Sequence, residues 1–77
     1  MDKNEIRKGM VLKAGRLFVL VTSRKGVIDY QSFSGVVISS EGEERKIFPI
    51  GSYSNSWNCT CFSKTSINIH KIITVFN

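Results

Sequence analysis

Apolar residues in this chain come in short runs broken by glycine or charge, and none holds a helical period for more than a turn or two. Met10 to Lys13 reads as a short strand closed by the tight connection Ala14-Gly15. The strongest segment, Arg16 to Ser23, is built on Leu17-Phe18-Val19-Leu20-Val21-Thr22. It is rich in β-branched and aromatic residues and too short for an ordinary helix, which predicts a central strand. Arg24-Lys25-Gly26 marks a turn, and a polar stretch runs to Ser32. Phe33-Ser34-Gly35-Val36-Val37-Ile38-Ser39 is the next strand, with a bulge or sharp bend expected at Gly35. Glu41-Gly42-Glu43 signals a hairpin, after which Arg45 to Ile50 is expected to return as an antiparallel partner. Pro49 has no amide hydrogen to donate, so it belongs at an edge or at the strand's end.

Three further segments carry mixed signals. Asp2 with Glu5 predicts one capped helical turn that ends before Gly9. In Ser52-Tyr53-Ser54-Asn55-Ser56-Trp57-Asn58-Cys59-Thr60-Cys61-Phe62, Tyr53, Trp57 and Cys61 share a helical face, but the same stretch also alternates as a strand would. Ser54 as an N-cap favours a short helical turn. From Ser66 to Phe76, Ile67 and Ile69 alternate with Asn68 and His70 until the phase slips, which predicts a bulge near Lys71 in the last strand. The pattern as a whole predicts one all-β domain over residues 1–77: a small five-stranded, partly open antiparallel barrel with a short helical turn before the last strand. Leu17, Val19, Val21, Val36, Ile38, Trp57 and Phe62 are its expected core.

This order of elements resembles the small five-stranded barrel of the Src-homology-three type. The residues also resemble short, functionally uncharacterised bacterial and phage proteins through Lys8-Gly9-Met10-Val11, Phe33-Ser34-Gly35-Val36-Val37-Ile38, Gly51-Ser52-Tyr53-Ser54-Asn55-Ser56-Trp57 and Phe62. The likeness spans roughly residues 8–62 and mixes turn glycines with core hydrophobes, so it implies a fold more than an activity. A further similarity is to the toxin endoribonucleases of toxin-antitoxin systems, whose barrel also opens with a Gly-apolar strand. Here Met10 stands where those proteins have an acidic residue, and the chain is shorter.

Composition narrows the setting. At 42% hydrophobic and 22% charged residues, the 77-residue chain can form a core, although a domain this small buries only about 60% of its unfolded surface. The longest apolar run, Leu17 to Val21, is far below the roughly 20 residues that span a bilayer, and Met1 is followed by polar residues, so neither a signal peptide nor a membrane partner is expected. Cys59 and Cys61 are too close for an unstrained disulfide. Reduced, buried thiols and a cytoplasmic location are the expectation. Charge is asymmetric: Lys3, Arg7, Lys8, Lys13, Arg16, Arg24 and Lys25 fall in the first 25 residues against Asp2 and Glu5, which accounts for the whole net charge of +5. Such a region attracts nucleic acid or an acidic protein surface, or else serves solubility.

Candidate chemistry is sparse. His70 is the one histidine and has no motif around it; with Cys59 and Cys61 it supplies three potential zinc ligands where a structural site takes four. The six glycines form no phosphate-binding loop, and no cofactor, metal or catalytic residue is expected. The leading reading is a non-catalytic binding module with a protein partner, its contact formed by a polar and aromatic surface around Tyr30 and Tyr53, with Phe33 and Trp57 more at home in a core. Small barrels of the resembled type bind along grooves lined by loop aromatics, although the acidic loop that goes with proline-rich ligands is missing here. The alternative is nucleic-acid or nucleotide binding through Arg7, Lys8, Lys13, Arg16, Arg24 and Lys25. An endoribonuclease is the second alternative. Lys13 and Arg16 flank one end of the long strand and Arg24 and Lys25 the other, so these cations make a single site only if they line up as a stripe.

Overall fold

The computed structural model describes residues 1–68. Five strands form one antiparallel sheet: β1 (Met10–Ala14), β2 (Leu17–Ser23), β3 (Ser32–Ser39), β4 (Tyr53–Asn58) and β5 (Ser63–Asn68), in the order β4-β3-β2-β1-β5. Among the described residues the sheet does not close, since β4 and β5 are its two edges, and it is the partly open, mostly β architecture expected. A 3₁₀ turn over Lys3–Glu5 precedes β1, and it carries the expected cap: the Asp2 side chain accepts from the Asn4 amide, and Glu5 reaches back to the Asp2 amide.

The alternation of β2 is clean. Leu17, Val19 and Val21 point into a core completed by Ile6, Leu12, Phe33, Val37, Trp57, Cys59 and Phe62. Phe33 meets Phe62 edge to face at 5.1 Å, and Trp57 packs against both Phe48 and Phe62. The Trp57 indole donates to the Gly35 carbonyl at 2.9 Å, so the polar end of this buried ring is satisfied.

Several expectations need correction. The segment placed at Arg45 to Ile50 as a returning strand is helical: a five-residue helix, α1 (Glu43–Ile47), replaces the hairpin. Its sequence Glu-Glu-Arg-Lys-Ile puts acids in the first turn and bases in the last, which suits the helix dipole, and Pro49 stops it. Bonds to residues outside the helix hold it down as well. Glu44 Oε2 accepts from the Arg16 amide at 3.0 Å, capping the β1–β2 turn, and Arg45 Nε donates to the Ser40 carbonyl at 2.9 Å.

The opposite error occurs at Ser54, where a helical turn was expected and β4 runs instead. A register shift places Trp57 opposite Phe33 but Tyr53 opposite Val36. Tyr53 and Trp57 therefore lie on different faces and share no helical stripe. The short helical turn before the last strand does exist, one element later, at Cys59–Cys61, where the Asn58 side chain caps the Thr60 amide. That turn separates the two thiols: Cys59 is buried as expected, but Cys61 is exposed.

In β3 the core parity is Phe33, Gly35 and Val37, so Val36 and Ile38 are only half-buried, on the other side of the sheet. The irregularity expected at Gly35 is real, since the β3–β4 register shifts between Phe33 and Gly35. β5 begins at Ser63, three residues before the expected start. The remainder of the expected last strand, with His70 and the Lys71 bulge, lies outside the described residues.

Candidate interaction surface

Three of the functional candidates, Arg24, Lys25 and Tyr30, meet where the N-terminal 3₁₀ turn faces the loop from β2 to β3. Ile6, fully buried, anchors the turn in the core. The Lys3 ammonium then crosses to donate to the Ser32 carbonyl at the start of β3. Between turn and loop lies an open cleft of ≈ 600 Å³ lined by Asp2, Lys3, Asn4, Arg24, Lys25, Asp29 and Tyr30. That volume is within the range of about 300–1,000 Å³ usual for ligand clefts.

The loop is exposed in its side chains and fastened in its backbone. The Lys25 amide donates to Ser23 Oγ at 3.1 Å, and the Lys25 carbonyl accepts from Ser34 Oγ at 2.6 Å. The Val27 amide donates to the Asn55 carbonyl of β4 at 2.8 Å, and the Gln31 and Ser32 amides both donate to the Ile28 carbonyl. Gln31 accepts in turn from the Cys59 amide and thiol. Gly26 is required by close approach, because a Cβ there would lie 2.5 Å from the Ser32 backbone. On this fixed backbone, Val27 is 64%, Ile28 39% and Tyr30 77% exposed.

The bond from Val27 also bears on the β4 edge. That strand carries no charged residue to discourage pairing with another chain. Its Asn55 carbonyl is taken by Val27, and its Ser56 amide donates to Ser54 Oγ at 3.1 Å.

Of the residues singled out in the sequence, Arg24, Lys25 and Tyr30 meet in the cleft. Arg7 borders it, since Nη1 donates to the carbonyls of Asn4 and Ile6. Lys8 is at the same end of the sheet, because the adjacent Gly9 amide donates to the Val21 carbonyl near the end of β2. It lines a separate groove between β1 and β5 with Met10, Thr65 and Ile67. Lys13 and Arg16 sit at the far end of β2, about 20 Å away at some 3.3 Å per residue. The cations therefore form no single patch. Tyr53, 63% exposed, closes a cross-strand row of Val11, Leu20, Val36 and Tyr53 on the face opposite the main core, away from the cleft.

Sequence reasoning missed Lys3, Asn4, Asp29, Val27 and Ile28. The capping pattern at Asp2 located the 3₁₀ turn, but only the buried Ile6 hinted at where the turn docks. Ion pairs among the described residues join Lys46 to Glu43 and Lys64 to Glu5, so Arg24 and Lys25 have no carboxylate within pairing distance there. Among the described residues, no helix is long and apolar enough to cross a membrane. Neither the protein-family models, nor the curated proteins, nor the solved structures compared with this chain match it.

Proposed function

We propose that the chain is a non-catalytic binding module for a protein partner, with the β2–β3 loop as its contact surface. One observation carries this reading: a loop tied down through its backbone holds Val27 and Tyr30 out in solvent, with Ile28 partly covered, beside Arg24 and Lys25. Exposed apolar side chains gain nothing for the fold, whereas Tyr and Arg are the residues enriched at protein interfaces. A backbone fixed beforehand also lowers the ordering cost of binding.

Nucleic acid fits this surface less well. Lys13 and Arg16 are too distant to extend a backbone-tracking stripe from Arg24 and Lys25.

Immobilised wild-type protein and a Tyr30→Ala variant, each incubated with source lysate, test the proposal. A protein retained by the wild type is expected to bind the variant roughly 30-fold more weakly, as for an interface residue worth about 2 kcal/mol, with the melting temperature unchanged. Equal retention by wild type, Tyr30→Ala and Val27→Ser would remove the loop from the function. Tight, salt-sensitive binding of a single-stranded oligonucleotide in place of any protein would replace the reading with the nucleic-acid one.

A further inference from the structure

Resting on the proposed contact surface, the charge at this end of the sheet specifies the chemistry of the partner. We propose that the loop docks an acidic polypeptide segment, whose carboxylates pair with Arg24 and Lys25 while an apolar or aromatic side chain packs on Tyr30 and Val27.

The charges are unevenly committed. Lys3, Arg7, Lys8, Arg24 and Lys25 gather at this end against Asp2, Glu5 and Asp29. Two of those three carboxylates already have work within the fold: Asp2 caps the 3₁₀ turn, and Glu5 completes the capping box and pairs with Lys64. Two of the cations are likewise committed, Lys3 to the Ser32 carbonyl and Arg7 to the carbonyls of Asn4 and Ile6. Lys8, Arg24 and Lys25 are left exposed without a carboxylate among the described residues, and of these Arg24 and Lys25 line the cleft with Tyr30.

Arginine presents a planar fork that takes a carboxylate through two parallel bonds, and lysine supplies a neighbouring point charge. Asp29, the cleft acid that makes no ion pair or side-chain bond among the described residues, limits ligand charge and so favours a few separated carboxylates over a continuous polyphosphate. The apolar part of the surface then selects a segment of mixed character, acidic residues flanking one large hydrophobe.

The probe is a capped glutamate peptide with one central Phe, titrated into ¹⁵N-labelled full-length protein, with a lysine peptide of the same length and an oligothymidine as comparisons. The glutamate peptide is expected to shift the amides of Lys3 to Arg7 and Arg24 to Gln31 while leaving those around Lys13 and Arg16 in place. Its affinity is expected to fall about tenfold in Arg24→Gln/Lys25→Gln, and to weaken between about 20 and about 200 mM salt as the screening length shortens. Equal affinity for the lysine peptide, shifts spread over both ends of the sheet, an unchanged affinity in the double variant, or tighter binding of the oligothymidine would each overturn the acidic-segment proposal. The two readings separate cleanly. A lysate partner that depends on Tyr30 but ignores the Arg24→Gln/Lys25→Gln change keeps the protein-binding module and discards the acidic segment. Peptide binding confined to this loop, with no Tyr30-dependent protein partner, keeps the charge selectivity and discards the module.

Discussion

Phe33→Ala is expected to cost about 3–5 kcal/mol, a large share of the stability of so small a domain. Phe33 is fully buried, sits opposite Trp57 across the β3–β4 pair, and takes the edge-to-face contact with Phe62. Its ring therefore joins the sheet to the segment just after the Cys59–Cys61 turn. Removing it leaves a cavity at the centre of the hydrophobic core of the described residues. At about 0.05–0.15 kcal/mol per residue, a chain of this length has roughly 4–12 kcal/mol to lose. Urea unfolding followed by tryptophan fluorescence reads the result through the buried Trp57. A drop in midpoint of less than about 1 M would show that the core does not depend on this ring.

Gly35→Ala is the second large effect, and it arises from overpacking. A Cβ at this position would lie 2.6 Å from Val19 Cγ1 and 2.7 Å from the Leu20 carbonyl oxygen. The side-chain atom has some freedom to turn, but the carbonyl belongs to the central strand β2, paired on both sides. The β2–β3 pair must then separate locally, and the bond from the Trp57 indole to the Gly35 carbonyl goes with it. Overpacking costs about 1–3 kcal/mol and the lost bond about 1 more, giving an expected loss of about 2–4 kcal/mol. Val36→Ala, one residue along but on the opposite face and only half-buried, should cost less. If denaturant melts rank Val36→Ala as the more damaging change, the close approach at Gly35 is not what holds β2 against β3.

How far these features were legible depended on how much each residue type says by itself. β2 was plain because Leu17, Val19 and Val21 alternate with less buried neighbours over a whole strand. Within β3, Val36-Val37-Ile38 is apolar at every position, so parity cannot be read there, and the inward-facing Gly35 offers no side chain to mark it. The strand expected at Arg45 to Ile50 failed for another reason. α1 has no buried residue, so no hydrophobic pattern announces it, and what secures it is the distant contact of Glu44 with the β1–β2 turn. The same limit applied to the cleft. Arg24, Lys25 and Tyr30 were visible as a basic turn and an aromatic, but Lys3 and Asn4 join them only because Ile6 and the Ser32 carbonyl draw the N-terminal turn across.

The strand order has a consequence for how the fold assembles. β1 to β4 follow one another as a meander, each strand pairing with its neighbour in sequence, so three of the four pairings can form locally. The fourth joins Lys13 to Ser63 across nearly the whole described chain, and its register is broken between Met10 and Leu12. Loop-closure entropy grows slowly, by about 0.6 kcal/mol per doubling of length, so the delay of this seam owes less to chain length than to the need for β1 to be held in place first. The β1–β5 seam is thus expected to form last. Native-state hydrogen exchange would register this as weaker protection along β5 than along β2. Opening of this seam is expected to leave the loop after β2 in place, because that loop is tied to β4 through the Val27 amide and the Asn55 carbonyl and not to β5.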